Sequence, residues 1–253
     1  FSFPSTMPDY GADGAVKPVY AKWTIESYTI QSNDSAFSDI TQNYGISITT
    51  PGTPSKTGYT FNSWKSDAGL TTGYTFPSTM PDYGANGATK TVYTKWDVNS
   101  WTVTFDKQSG ANGTNSVTAT YDANMPAATA PTREGYVFSG YFSGTSGTGT
   151  KYYNANMTSA RTWNIDADTI LYAYWTIEYY TIQSNDESFT VITQNYGTTI
   201  TTPSDPTKEG YYFGGWYNEV GLSTIYTFPE TMPDYGTTGA TKNVYTKWTI
   251  ESY

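Results

Sequence analysis

Neither cysteine nor histidine occurs among these 253 residues. That excludes a Ser-His-Asp triad, a thiol nucleophile, thiolate or imidazole metal sites, disulfides and a histidine pH switch. Any catalysis would have to run on carboxylates, and no metal or other cofactor is expected. Positive charge is scarce as well, with 13 Lys and Arg against 22 Asp and Glu and a net charge of -9. Nucleic acid and anionic membranes reward clustered cations, and no basic stripe is visible, so neither is an expected partner. No apolar run reaches the ~18 to 20 residues of a membrane helix, so no membrane insertion of this segment is expected. Phe1-Ser2-Phe3-Pro4 lacks the charged start and apolar stretch of a secretion signal. Missing cysteine does not by itself assign a compartment; the composition leans toward an extracellular setting.

What is present is aromatic and repetitive. Aromatic residues make up 17% of the chain, 25 of them tyrosine, while charged residues are only 14%, which is the profile of a folded β-rich protein rather than a disordered one. Trp23, Trp96, Trp175 and Trp248 each close a similar run, at spacings of 73, 79 and 73 residues. The chain therefore reads as a tandem array. Residues 24–96 and 176–248 are near copies, sharing TIExYTIQSND, ITQNYG, YTFPxTMPDYG and GATKxVYTKW; residues 97–175 are a divergent module on the same frame. Residues 1–23 match the last third of a module, and 249–253 repeat 24–28.

Within each module the apolar period is two, and β-branched and aromatic residues fill the runs, which predicts four or five strands. Val92, Thr94 and Trp96 share one strand face and Tyr93 and Lys95 the other. Tyr28 with Ile30, and Tyr180 with Ile182, mark the first strand, as do Trp101, Val103 and Phe105 in the divergent module. Pro-x-x-x-Gly-Tyr segments at 54–59, 131–136 and 206–211 punctuate each module before a strand. At most one short helical turn per module is expected, where Pro81-Asp82-Tyr83 or Pro233-Asp234-Tyr235 lies. The fold class is thus mainly β, a tandem array of small modules with little helix.

The framework TVTFDKQSG, PTREGYVFSGYF and DTILYAYW, with its copy PTKEGYYFGGWYNEVGLSTIYTF and VYTKW, resembles the Listeria–Bacteroides repeat of internalin-type and other surface proteins. The motif Gly210 to Tyr217 is fairly specific where it stands between the first-strand signature and the closing tryptophan. The resemblance implies a β-grasp-like module, an extracellular setting and a stalk, spacer or adhesion role without catalysis. The near copies depart from the family in carrying QSND at the first hairpin and Phe61-Asn62-Ser63-Trp64 without a glycine before the tryptophan.

Several residues invite a functional reading, each with a plainer one beside it. Carboxylates recur at Glu26, Glu178 and Glu251, at Asp34 and Asp186, and at Asp9, Asp82 and Asp234, but small repeated modules offer no single cleft for an acid–base pair. Asp9 to Gly14 has the look of an oxygen-ligand loop for calcium, yet its second acid, Asp13, becomes Asn86 and Thr238 in the copies, as suits a glycine-rich turn. The four closing tryptophans are expected in the core. Trp64 and Trp216, with Tyr141 as their counterpart, are candidates for a ligand or inter-module contact. Sequons at Asn33, Asn112 and Asn156 are candidate glycosylation sites.

The function expected is structural: a non-catalytic extracellular stalk or filament subunit, its modules joined without flexible linkers. The partners expected are neighbouring modules or further copies, through end-to-end or strand-addition contacts near the partial modules. An alternative is an adhesin that binds a glycan or a host surface protein through exposed aromatics.

Overall fold

In a computed structural model of the protein, residues 2–35 and 37–252 are described; Ala36 lies outside them, as do Phe1 and Tyr253, the outermost residues of the two partial modules. The first complete module holds β1 (Ser27–Ser32), β2 (Ile40–Asn43), β3 (Tyr59–Lys65) and β4 (Thr89–Val98). The second holds β5 (Ser100–Asp106), β6 (Ser116–Thr120), β7 (Tyr136–Phe142), β8 (Lys151–Asn154) and β9 (Thr169–Ile177). The third repeats the first with β10 (Tyr179–Ser184), β11 (Ile192–Asn195), β12 (Tyr211–Tyr217) and β13 (Thr241–Ile250). The mainly β class expected from the alternation is what the chain adopts.

The outer modules order their strands β2-β1-β4-β3 and β11-β10-β13-β12, and the middle one β6-β5-β9-β7-β8. Each opens with an antiparallel hairpin whose first strand then pairs in parallel with the last strand of the module. That parallel pair is central, so its residues are covered: Tyr28, Ile30 and Val92 are buried, as are Tyr180, Ile182 and Val244. Beneath it pack side chains from irregular segments, Ile48, Phe76 and Met80 in the first module and Ile200 and Met232 in the third. The middle core is larger, with Phe105, Tyr141, Tyr153, Trp163 and Leu171 at its centre.

Two expectations are corrected. The helical turn is a 3-10 turn at Thr145–Gly147, where Ser146 takes φ 57. At Asp82 and Asp234 the chain instead makes carboxylate-capped turns, the Oδ1 atoms accepting the N–H of Gly84 and Gly236 at 2.6 Å, with φ near +100 at both glycines. Nor are all closing tryptophans core. Trp96, Trp175 and Trp248 are half-buried at the rim, each beside a phenylalanine at 5.4–5.6 Å, whereas Trp23 is 89% exposed in a segment without strand.

The chain divides into two compact units, Phe1–Lys56 with Phe61–Asp97, and Thr57–Thr60 with Val98–Tyr253. Inside the second unit the middle and third modules meet without a linker, since only Glu178 separates β9 from β10. Its N–H donates to Gly135 O at 2.9 Å, and Gly135 N–H donates to Asp234 Oδ2 at 3.3 Å. Tyr196 packs over this glycine, edge to Tyr136 at 6.3 Å between ring centres. The carbonyl bond and the tyrosine packing recur in that unit at Gly58, whose O accepts Asn99 N–H at 2.9 Å while Tyr59 and Tyr121 meet edge to face at 5.9 Å.

Candidate functional site

The strand Tyr211–Tyr217 carries Gly214 and Gly215 ahead of its tryptophan, and its pairing with β13 slips between Phe213 and Trp216. Gly215 takes φ +110 at this bulge, a conformation that costs a side-chain-bearing residue strain. Trp216 thereby turns inward and is 7% exposed, surrounded by Phe189, Phe213 and Phe228 at 5.2–5.7 Å. Beside it runs a groove of about 540 Å³ floored by Phe189, Ile192 and Trp216 and walled by the Thr201–Thr207 segment. The first module has the counterpart, about 450 Å³, over Phe37, Ile40 and Trp64 and walled by Thr49–Pro54. Trp64 is half-buried among Phe37, Phe61 and Phe76 at 5.3–5.5 Å. Each indole is thus boxed by three rings, all edge to face except the tilted Phe61 beside Trp64, which suits core packing more than stacking a sugar on an open face.

Tyr141 occupies the corresponding place in the middle module and is fully buried, stacked on Phe105 at 4.4 Å. Among the described residues its hydroxyl has no hydrogen-bond partner, and burial pushes its pKa up to about 12. Neighbouring Tyr153 packs edge-on to both rings.

A second constellation, at the start of each outer module, joins residues far apart in sequence. Tyr180 OH lies 2.5 Å from Glu178 Oε2 and 2.8 Å from Asp234 Oδ1. Tyr28 OH likewise reaches Glu26 Oε2 and, at 3.0 Å, Asp82 Oδ1. Burial and the two carboxylates hold the Tyr180 proton far more tightly than usual; for Tyr28 the Glu26 hydrogen bond is the leading cause. The Gly236 N–H and the Tyr180 hydroxyl hold Asp234 below the usual carboxylate range. A phenol so held is the reverse of an activated nucleophile or acid, and the cluster reads as a lock between chain segments. Sequence reasoning saw these acids recur but not what they bond, because Tyr28 and Asp82 lie 54 residues apart.

The remaining candidates have local partners. Asp34 Oδ2 accepts the Thr94 hydroxyl at 3.1 Å and the Trp96 indole N–H at 3.3 Å, and Asp186 accepts the Ser188 N–H at 3.0 Å. Asp9 Oδ1 caps Gly11 at 2.8 Å. The three sequon asparagines are exposed. Asn33 Oδ1 accepts Thr94 N–H, Asn112 Nδ2 donates to Thr132, and Asn156 Oδ1 accepts both the N–H and, at 2.7 Å, the hydroxyl of Thr158.

A family model described as the Listeria-Bacteroides repeat domain matches three times, at residues 27–95, 101–174 and 176–242. Two proteins of Evansella cellulosilytica described as membrane proteins, one of them Gly-rich, are 29% and 30% identical over 93% of this chain. The chain spans 34% and 26% of their lengths. Internalin H of Listeria monocytogenes is 38% identical over 40% of the chain and 17% of its own length.

Proposed function

This chain belongs to the Listeria–Bacteroides repeat family, and we propose from that premise that it is a segment of a cell-surface protein in which it serves as a non-catalytic spacer or stalk. One observation carries the reading: Glu178 alone separates β9 from β10, and its backbone is bonded across the boundary. Modules so joined set a distance, whereas a binding array on flexible linkers would not need the bond. The aromatic and carboxylate groups are engaged in packing and turns, which favours structure over catalysis. The names of the relatives, membrane proteins and an internalin, favour an extracellular setting. The parallel central pair flanked by hairpins supports the β-grasp-like kinship, and the partners are neighbouring modules of the same kind. Brief protease treatment of intact source cells tests the location: peptides from 24–248 should be released before lysis, and release only after lysis would overturn it.

An adhesin reading is favoured by the grooves beside Trp64 and Trp216. Thr202→Arg would fill the groove of the third module without touching its core. Loss of binding to a glycan array or host extract with unchanged folding would favour adhesion; no binding by either protein would leave the spacer.

A further inference from the structure

The joint between the middle and third modules has a donating half and a receiving half. The donor is the Gly135–Tyr136 turn. Gly135 takes φ +71, and a Cβ there would lie 2.1 Å from the Tyr196 ring, so that ring is seated directly on the glycine backbone. The receiver is Glu178, Tyr180, Tyr196 and Asp234. Glu178 N–H binds Gly135 O, Asp234 Oδ2 takes Gly135 N–H, and Asp234 Oδ1 takes Tyr180 OH. Covered in this way, Glu178 is buried.

The first module carries the same receiver. Tyr28 bonds Glu26 and Asp82 as Tyr180 bonds its two acids, and Tyr44 N–H donates to Glu26 O at 2.8 Å as Tyr196 N–H does to Glu178 O at 2.9 Å. These residues line an open cavity of about 230 Å³ together with Thr24 and Ile25. Glu26 is exposed and Tyr44 is 54% exposed, unlike their counterparts. We infer that this cavity is a docking site for the Gly-Tyr turn of another repeat, one placed immediately ahead in the same polypeptide. The chemistry it selects is a left-handed glycine whose N–H meets Asp82, whose carbonyl meets Glu26 N–H, and whose missing side chain admits the Tyr44 ring.

The geometry favours that source over a second copy of the chain. The turn at Gly210–Tyr211 is already engaged by its own chain, with Tyr211 paired to Ile250 and Gly210 O accepting Glu251 N–H at 3.0 Å. A second copy would have to place its Thr24-Ile25-Glu26 where Thr249-Ile250-Glu251 already lies. In the joint that is formed, Tyr136 pairs with Ile177, the residue leading directly into Glu178, so the bond is made by continuous chain.

The test compares this chain with one in which a copy of residues 176–248 stands in place of 1–23, directly ahead of Thr24. Hydroxyl-radical footprinting with mass spectrometry reads the reactivity of Tyr44 against Tyr121 and Tyr196 in the same molecule. The inference expects Tyr44 to fall several-fold, to the level of Tyr196, and to recover when the added copy's glycine equivalent to Gly210 is changed to valine. Equal Tyr44 reactivity in both chains, or a fall that the valine change does not reverse, would overturn it. Protection that appears in the original chain only as its concentration rises would instead assign the cavity to a second copy. If the added copy fails to fold, residues 97–175, whose turn makes the joint described above, serve as the donor.

Discussion

At the scale of residues, tyrosine does two opposite things. The Tyr180 hydroxyl bridges Glu178 and Asp234, whereas the buried Tyr141 hydroxyl has no partner among the described residues. An unsatisfied buried polar group costs about 1–3 kcal/mol, so Tyr141→Phe should be neutral or raise the unfolding midpoint, while Tyr180→Phe should lower it. Urea titrations of the two variants check the sign. Glycine divides in the same way. Gly135 and Gly210 share φ near +70, but a Cβ on Gly135 meets the Tyr196 ring, while on Gly210 it meets nothing within 4 Å. Gly210→Ala should cost about 1–2 kcal/mol for the left-handed conformation alone. Gly135→Ala should cost clearly more and should unprotect the Glu178 amide in hydrogen exchange. Neither distinction was legible in the sequence, where all three Gly-Tyr pairs read alike as turns.

At the scale of elements, alternation was enough to find the strands and their inner faces: Tyr28, Ile30, Val92 and Thr94 are buried as the period of two requires. It could not find Met80, Met232 or Trp163, because these core residues come from irregular segments that have no period. Trp163 is fully buried against Tyr152 at 5.1 Å, so Trp163→Ala should cost about 3–5 kcal/mol and unfold the middle module first. Alkaline pH should act on the same cores. Burial raises Tyr141 and Tyr153 to about 12, and Tyr180, Tyr226 and Tyr74 further. A raised pKa keeps its stabilisation below the unfolded value of about 10 and loses it as pH climbs through the folded value. Phenolate absorbance from these buried tyrosines should therefore appear only well above pH 10, cooperatively with loss of structure. A single ordinary titration of all tyrosines near pH 10 would contradict these buried positions.

At the scale of the whole molecule, the repeat lengths and the near identity of 24–96 with 176–248 make the array legible in the sequence alone. The joint between the middle and third modules is not, since it depends on contacts between the Gly135–Tyr136 turn and the hairpin that follows Glu178. In the spacer reading proposed above, function lies in the number of modules rather than in any one of them. The most direct measurement is the distance from the cell envelope of an epitope tag placed ahead of residue 1 in the parent protein, read by immunogold microscopy before and after in-frame removal of 24–96. The account predicts that the label moves inward by one module's length, and that removing 176–248 instead gives the same shift. A label that keeps its distance after either deletion would contradict the spacer.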